Sequence, residues 1–521
     1  MPITDGPRRA ARLALLALAF AVAGFGLTRT LGEPFAHGWM GHNGARYAHI
    51  ARNYARDGLL FECGAPRMDV AQGGAESVHS YPLGDSTWTP DVYAHHPPAV
   101  SMVIGLLFDI FGVSEDVARV LPILATLLTL AVLARLVTLE AGAGAGALAA
   151  LVAAAMPMVS VYGAHVDPQG PPVVALSLAT VLLYRRWLAG GSVWPMLLAA
   201  AAASAFDWYG LYTLAACALH LFATRRERRG AAMGLGAATL LLFGAWLAWL
   251  GSLRGSSVGE VLGSAGIRGA AALQGGEVLH QFLAAWWKDT NSEMPGWPAL
   301  LVLALLLVGG AVRLAPPTPC ARPVLGGRAL LSLLLLPPAL HALLFPAGLL
   351  VHDYWLFGLP PALAAAYALW APRAGWPVAT ALALLLLVPG WFGAQRLLGQ
   401  RDDLAVLIGR ALGAQTAPGD VVLTDYDCNP LIAGGGDEHL DKRPEVTFSS
   451  DRKVRGLVGS NAPGAVPLDE ARARTGAGWF LLTPWPPGPA PGLAAELAAR
   501  AAAAPVRLAD DPPVDLYRLS P

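Results

Sequence analysis

The chain has 521 residues, of which 55% are hydrophobic and only 14% charged, and its mean hydropathy is +0.49. A soluble domain carries about a quarter charged residues, so this composition excludes an ordinary soluble fold and places most of the chain in lipid. The 36 basic and 36 acidic residues cancel, which leaves no excess charge for a nucleic-acid partner, and four scattered Cys offer neither a metal spacing nor a disulfide framework.

The first apolar run, from about Leu13 to Thr28 in the candidate span 11–31, follows Arg8, Arg9 and Arg12. No small-residue cleavage site precedes the next polar stretch, so it reads as an uncleaved first span. Crossing the hydrocarbon takes roughly 20 apolar residues. Further candidates lie at 118–138, 143–161, 171–187, 193–206, 208–224, 231–251, 297–314, 329–350, 354–371 and 375–394. The expected class is a polytopic α-helical membrane protein with about eleven transmembrane helices.

Short loops carrying Arg185 and Arg186, then Arg225, Arg226, Arg228 and Arg229, then Arg313, Arg322, Arg328 and Arg373 are expected to be cytoplasmic. The amino terminus is then inside, while residues 32–96, Asp167, Asp207, His352 and the carboxyl-terminal segment are outside. Three apolar runs lie between His96 and Asp167, both outside, so one of them does not cross. Segment 97–113 is the shortest, opens with Pro97-Pro98 and contains Asp109. It is expected to lie in the outer interface.

Within the outer loop 32–96, residues 44–58 have a helical period. Tyr47, Ile50, Ala51 and Tyr54 recur on one face, opposite Arg46, His49, Arg52, Asn53 and Arg56, and Gly58 ends the pattern. That predicts a helix lying on a membrane surface. A second outer loop, 252–296, is Gly-rich and then carries Trp286 and Trp287. The transmembrane domain is therefore 1–396. Beyond it, DDLAVLIGRAL and PGLAAELAARAAA read as helices, and VVLTD, WFLLTPW and VDLYRLS as strands. They predict a small soluble α/β domain over 397–521 on the outer face, with no phosphate loop or nucleophile motif, acting as a cap or accessory binding surface. No internal repeat stands out, which counts against a transporter built from inverted repeats.

Five polar clusters arrive at the outer end of the helices: His42-Asn43; Tyr93 with His95 and His96; His165, Asp167 and Gln169; Asp207, Trp208 and Tyr209; and His352, Asp353 and Tyr354. Ionisable groups at membrane depth are costly, so each is a functional candidate. Each also has a plainer reading. Asp167 before Pro168 is a reasonable helix cap, Asp207 falls where a turn is expected, and His42-Asn43 can be a loop turn. His95-His96 and His352-Asp353 also suit an interface.

The order of these motifs resembles the GT-C membrane glycosyltransferases of family 39, which include protein O-mannosyltransferases and the aminoarabinose transferase that modifies lipid A. The residues that carry the likeness are the ARYAHIARNYARDG helix, HHPP, FGVSEDVAR, VDPQGPP, DWYG and HDYWLF, across roughly 10–395. The resemblance implies transfer of a sugar from a polyprenyl-phosphate-linked donor to a lipid, glycan or protein acceptor at the outer face of a plasma membrane. The Ala-, Gly- and Arg-heavy composition points to a bacterial inner membrane. The family places an acidic residue in the first outer loop as base or acceptor-positioning group. Here the stretch is Gly41-His42-Asn43-Gly44, without a carboxylate.

The catalytic role is then expected to fall to Asp167, which matches the family's second acidic position, to His42, or to Asp207. Arg46, Arg52, His95, His96 and His352 are the cations and donors available to a phosphate, with Asn43, Tyr93, Gln169, Trp208, Tyr209 and Tyr354 as further substrate contacts. No convincing carboxylate pair holds a metal, so no cofactor is expected, a divalent ion remaining open. An inactive relative acting as a scaffold, and a flippase, are the competing readings.

Overall fold

The computed structural model describes residues 6–60, 64–68, 92–93, 96–253, 324–344, 353–401, 403–425, 444–456, 467–483, 492–510 and 512–520. The expected loop 252–296 falls almost wholly outside these residues, and the span 297–314, His95 and His352 do so entirely.

The described residues of the membrane part are mostly helical. Its helices are α1 (Gly6–Thr28), α2 (Gly38–Asp57), α3 (Ala99–Phe111), α4 (Glu115–Ala141), α5 (Ala143–Ala154), α6 (Pro171–Leu188), α7 (Trp194–Phe206), α8 (Tyr209–Thr224), α9 (Arg229–Ser252), α10 (Gly327–Leu344), α11 (Leu359–Ala374), α12 (Trp376–Leu385) and α13 (Leu387–Leu398). Five are long and apolar enough to cross a membrane, among them α4 and α9, and α12 with α13 makes one of the five. Among the described residues, the expected spans 193–206, 208–224 and 354–371 are shorter apolar helices and 143–161 is bent.

Helix α5, AGAGALAALVAA, is buried on every side. Small residues let α1, α4 and α11 approach its backbone; a side chain at Gly146 would collide with Ala134 and Thr138 of α4. The expected span 143–161 does not run through. Pro157 lacks an N–H and pushes Met156 into an extended conformation, so the chain bends by 75° and continues as Pro157–Ala164. This bend carries His165, Asp167 and Gln169 back across the bundle end. At the opposite end Glu140 of α4 pairs with Arg185 of α6 and accepts the N–H groups of Leu325 and Gly326 at 3.2 and 2.8 Å.

The predicted amphipathic helix is α2, but it begins at Gly38 rather than at 44, so His42 and Asn43 sit on a helix and not in a loop. Its apolar face packs on α3 through Tyr47, Ile50, Ala51 and Tyr54. Gly105 permits this, since a Cβ there would meet Tyr54 Cβ at 2.9 Å. Helix α3 has 13 residues and rises about 20 Å, short of the ~30 Å hydrocarbon core.

The polar face of α2 is not solvated as expected. His49, Arg52 and Asn53 are buried. His49 lies against the Met68 carbonyl at 2.8 Å, while Arg52 is covered by the carboxyl-terminal domain, whose elements are α14 (Asp403–Gln415), β1 (Val421–Thr424), α15 (Pro444–Ser450), β2 (Lys453–Gly456), α16 (Leu468–Thr475), β3 (Trp479–Leu482), α17 (Leu493–Arg500), β4 (Val506–Asp510) and β5 (Pro513–Arg518). The sheet order is β2-β1-β3-β5-β4, with β1 parallel to β2 and β3, and β5 antiparallel to β3 and β4. Apolar residues alternate across it. Val422, Leu481 and Leu516 face α14, while Leu423, Phe480 and Tyr517 face α16 and α17. Strand β4, exposed and charged, was not among the expected strands.

Helix α15 lies along α2. Arg52 donates to the Phe448 carbonyl at 2.9 Å and pairs with Asp451 at 3.2 Å, while Arg56 also binds Asp451. Phe448 meets Phe35 edge-on at 5.4 Å. Burial pushes the Arg52 guanidinium down only to about 10, so it stays charged. Burial, with Arg52 alongside, drives His49 down to about 3. Burial works against the Asp451 carboxylate, yet the hydrogen bond from Arg56 and the charges of Arg52 and Arg56 hold it below the usual carboxylate range.

Candidate active site

The bend after α5 and the turn between α7 and α8 each deliver one buried carboxylate to the same end of the bundle. Asp167 Oδ1 accepts the Gln169 N–H at 2.8 Å, and Oδ2 accepts from the Asn43 amide of α2 at 2.9 Å. His165 Nε2 stands 3.7 Å from the same oxygen. The expected cap reading is corrected here. Asp167 closes a local turn, and α6 starts after Gly170 with no side-chain cap.

Asp207, fully buried, closes the turn between α7 and α8 by accepting the Tyr209 N–H at 2.8 Å. Its other oxygen lies 2.8 Å from His96 Nδ1. A carboxylate can only accept, so the proton of that contact is on Nδ1, which leaves Nε2 as the edge that faces a substrate.

Tyr93 links the two halves. Its ring is 6.1 Å from that of His96 and 5.8 Å from Tyr47, and the Arg46 guanidinium lies 5.4 Å from its centre. Arg46 Nη2 is 2.8 Å from His42 Nε2. His42, Arg46, Tyr93, His96 and Asp207 thus form one connected series, and the Asn43–Asp167 pair stands beside it where Asn43 follows His42 on α2.

Three expected contacts fall elsewhere. Arg52 is held by Phe448, Asp451 and His49, because the carboxyl-terminal domain occupies its side of α2. Trp208 turns away from Asp207 to pack with Ala65, Val92 and Leu250 and to meet Phe243 edge-on. Tyr209 points its ring into the helix core, 6.3 Å from His341, where Gly358 abuts its hydroxyl. Tyr354 falls in the adjoining turn Asp353–Gly358.

The sequence reading missed three residues. His341 of α10 packs its ring on Tyr209 and Tyr212, and a lone His in an apolar span was the available signal. Arg119 donates to the Glu33 and Pro34 carbonyls at 2.6 and 3.1 Å and so fixes the entry to α2. Glu445 of α15, 5% exposed, lies 4.0 Å from His42 Nδ1, and no local pattern marks it. Among the described residues no three His, Cys, Asp or Glu side chains converge as a metal site.

A groove of about 330 Å³ runs between α1, the α5 bend and α13, with walls that include Val22, Phe25, Leu387 and Trp391. Arg29 stands at its end, 5.1 Å from the centre of the Trp391 ring, and donates to Gln395 at 2.9 Å.

The family model described as dolichyl-phosphate-mannose-protein mannosyltransferase matches residues 95–249, the stretch that holds His96, Asp167 and Asp207. The chain is also similar to the structure of ArnT from Cupriavidus metallidurans bound to undecaprenyl phosphate. The two share 15% identity and a TM-score of 0.59 over 99% of this chain and 98% of that one. By fold the chain is of the GT-C membrane type. Weaker likenesses of this GT-C chain are to the arabinosyltransferase EmbB of Mycobacterium smegmatis (15% identity, TM-score 0.41, 84% of this chain and 36% of that) and to the oligosaccharyltransferase of Archaeoglobus fulgidus (13%, 0.47, 89% and 67%). No curated protein matches its sequence.

Proposed function

We propose that the protein moves a sugar from a polyprenyl-phosphate-linked donor to a hydroxyl of a lipid, glycan or protein acceptor at the outer face of a bacterial plasma membrane. In this reading the amino terminus is cytoplasmic and the carboxyl-terminal domain is outside. The observation that carries it is the meeting of Asn43–Asp167 and His96–Asp207 at one end of an apolar bundle.

The acceptor oxygen attacks the anomeric carbon, the bond from that carbon to the phosphate oxygen breaks, and polyprenyl phosphate departs with the bonding pair. The acceptor proton passes to Asp167, whose orientation is fixed by the Asn43 amide and the Gln169 N–H. His96, turned by Asp207, offers Nε2 to a substrate hydroxyl. The Gln169 side-chain oxygen is buried with no hydrogen-bond partner, an orphan of the kind a sugar hydroxyl satisfies. His42 is less suited to act as base, since Arg46 already donates to its Nε2.

Two arginines are placed for a lipid phosphate, Arg46 beside Tyr93 and Arg29 at the end of the apolar groove, which suits an isoprenoid chain. The lipid named in the similar ArnT structure, undecaprenyl phosphate, is of the class proposed here.

The test is transfer of radiolabelled sugar from a polyprenyl-phosphate donor pool by membranes holding wild type, Asp167→Asn or His42→Ala. Wild type is expected to transfer, Asp167→Asn to lose about 10²-fold or more while remaining folded, and His42→Ala to lose less. A wild type silent with every donor would favour the inactive-relative reading instead.

A further inference from the structure

We infer that the carboxyl-terminal domain is part of the transfer site, with Glu445 acting as a positioning residue that holds His42 and, through it, Arg46. This rests on the transferase reading above.

The first turns of α2 carry no carboxylate of their own; Gly41, His42, Asn43 and Gly44 are all uncharged or, for His42, basic. A carboxylate that faces His42 arrives from a segment some 400 residues later. Glu445 sits in the first turn of α15, with Oε1 4.0 Å from His42 Nδ1. A buried carboxylate at a domain edge is costly unless a partner meets it, and His42 is a partner supplied by the other domain.

The protonation pattern follows from the donors. Arg46 has no acceptor, so its contact with His42 Nε2 at 2.8 Å requires a lone pair on that nitrogen. The ring proton is then on Nδ1, the nitrogen that faces Glu445. One carboxylate thereby fixes the tautomer, and the tautomer seats the guanidinium over Tyr93. Among the described residues, charged groups that meet His42 include Arg46 on its own helix and Glu445 on α15.

Docking does not depend on this contact. Helix α15 is also anchored on α2 through Arg52 to Phe448 and through Arg52 and Arg56 to Asp451. Substituting Asp451 therefore loosens the same interface without touching the Glu445–His42–Arg46 chain, and it separates a structural effect from a positioning one.

The experiment uses the full-length protein in nanodiscs and titrates polyprenyl monophosphate against wild type, Arg46→Ala, Glu445→Ala, Glu445→Gln, Asp451→Ala and the double variant Arg46→Ala/Glu445→Ala. Glu445→Ala is expected to weaken binding about three- to tenfold, and Glu445→Gln, which keeps an oxygen facing Nδ1–H but loses the charge, by less. The double variant should bind like Arg46→Ala alone, because the two act through one chain. Asp451→Ala should stay within about twofold of wild type.

Unchanged binding in Glu445→Ala overturns the inference and leaves the transferase reading standing. So does a loss that adds in full to that of Arg46→Ala, or one that Asp451→Ala reproduces. A wild type that binds no polyprenyl phosphate removes both.

Discussion

Replacing Asp207 separates a structural role from a chemical one within a single side chain. Its two oxygens do different work, Oδ1 closing the turn at Tyr209 and Oδ2 orienting His96. Asp207→Ala loses both contacts. A turn-closing bond of this kind contributes about 1 kcal/mol, and a hydrogen bond to a charged group about 1.5–3 kcal/mol, so the loss is about 2.5–4 kcal/mol. Asp207→Asn keeps an acceptor for the Tyr209 N–H, but its amide now faces His96 Nδ1 with a donor. The imidazole must move its proton to Nε2, which reverses the polarity of its free edge. Stability should then fall by only about 1 kcal/mol while transfer falls about 10²-fold or more. Thermal unfolding in detergent and sugar transfer, measured on the same preparations, separate the two. If Asp207→Asn transfers within about threefold of wild type, or melts as low as Asp207→Ala, the reasoning is wrong.

The carboxyl-terminal domain and its docking should respond to pH with opposite signs. Burial, opposed by hydrogen bonds from Thr483, raises Asp425 from its ordinary value to about 6. Its folded form therefore binds a proton more tightly than its unfolded form. Stability from this group is present below pH ~4 and lost as pH rises towards ~6, by about 3 kcal/mol in all. Asp425→Asn should abolish that slope and raise the melting temperature at neutral pH. His49, driven down to about 3 by burial and by Arg52, behaves in the reverse sense. Its contribution is present above pH ~6.5 and lost as pH falls towards ~3, so acid should speed protease cleavage near residues 399–403, and His49→Gln should flatten that response. At the other end of the bundle, Glu140→Ala strands the Arg185 guanidinium and two backbone N–H groups. It should cost about 3–5 kcal/mol, seen as early unfolding in detergent.

Much of this was readable from residue order, and the exceptions share a cause. Spans such as α4 and α9 are legible because lipid demands long apolar runs, and the face of α2 because Tyr47, Ile50, Ala51 and Tyr54 keep a helical period. Asp167 and Asp207 stood out as carboxylates at the ends of apolar runs. The start of α2 did not, because His37 precedes it without a side-chain cap. Arg52 reads as a cation available to a substrate phosphate, yet its partner carbonyl lies 396 residues away. Glu445 was invisible for the same reason. Local periodicity reports which face is apolar, not which distant domain will cover the polar one.

The proposed chemistry turns on direct displacement of a lipid phosphate from the sugar. Purified protein supplied with a synthetic polyprenyl-phosphate sugar of known anomeric configuration, and with an acceptor pool, tests it most directly. One polyprenyl phosphate should be released per sugar transferred, the product should have the inverted configuration, and Asp167→Asn should do neither. Retained configuration, sugar transfer without release of polyprenyl phosphate, or an undiminished Asp167→Asn would contradict it.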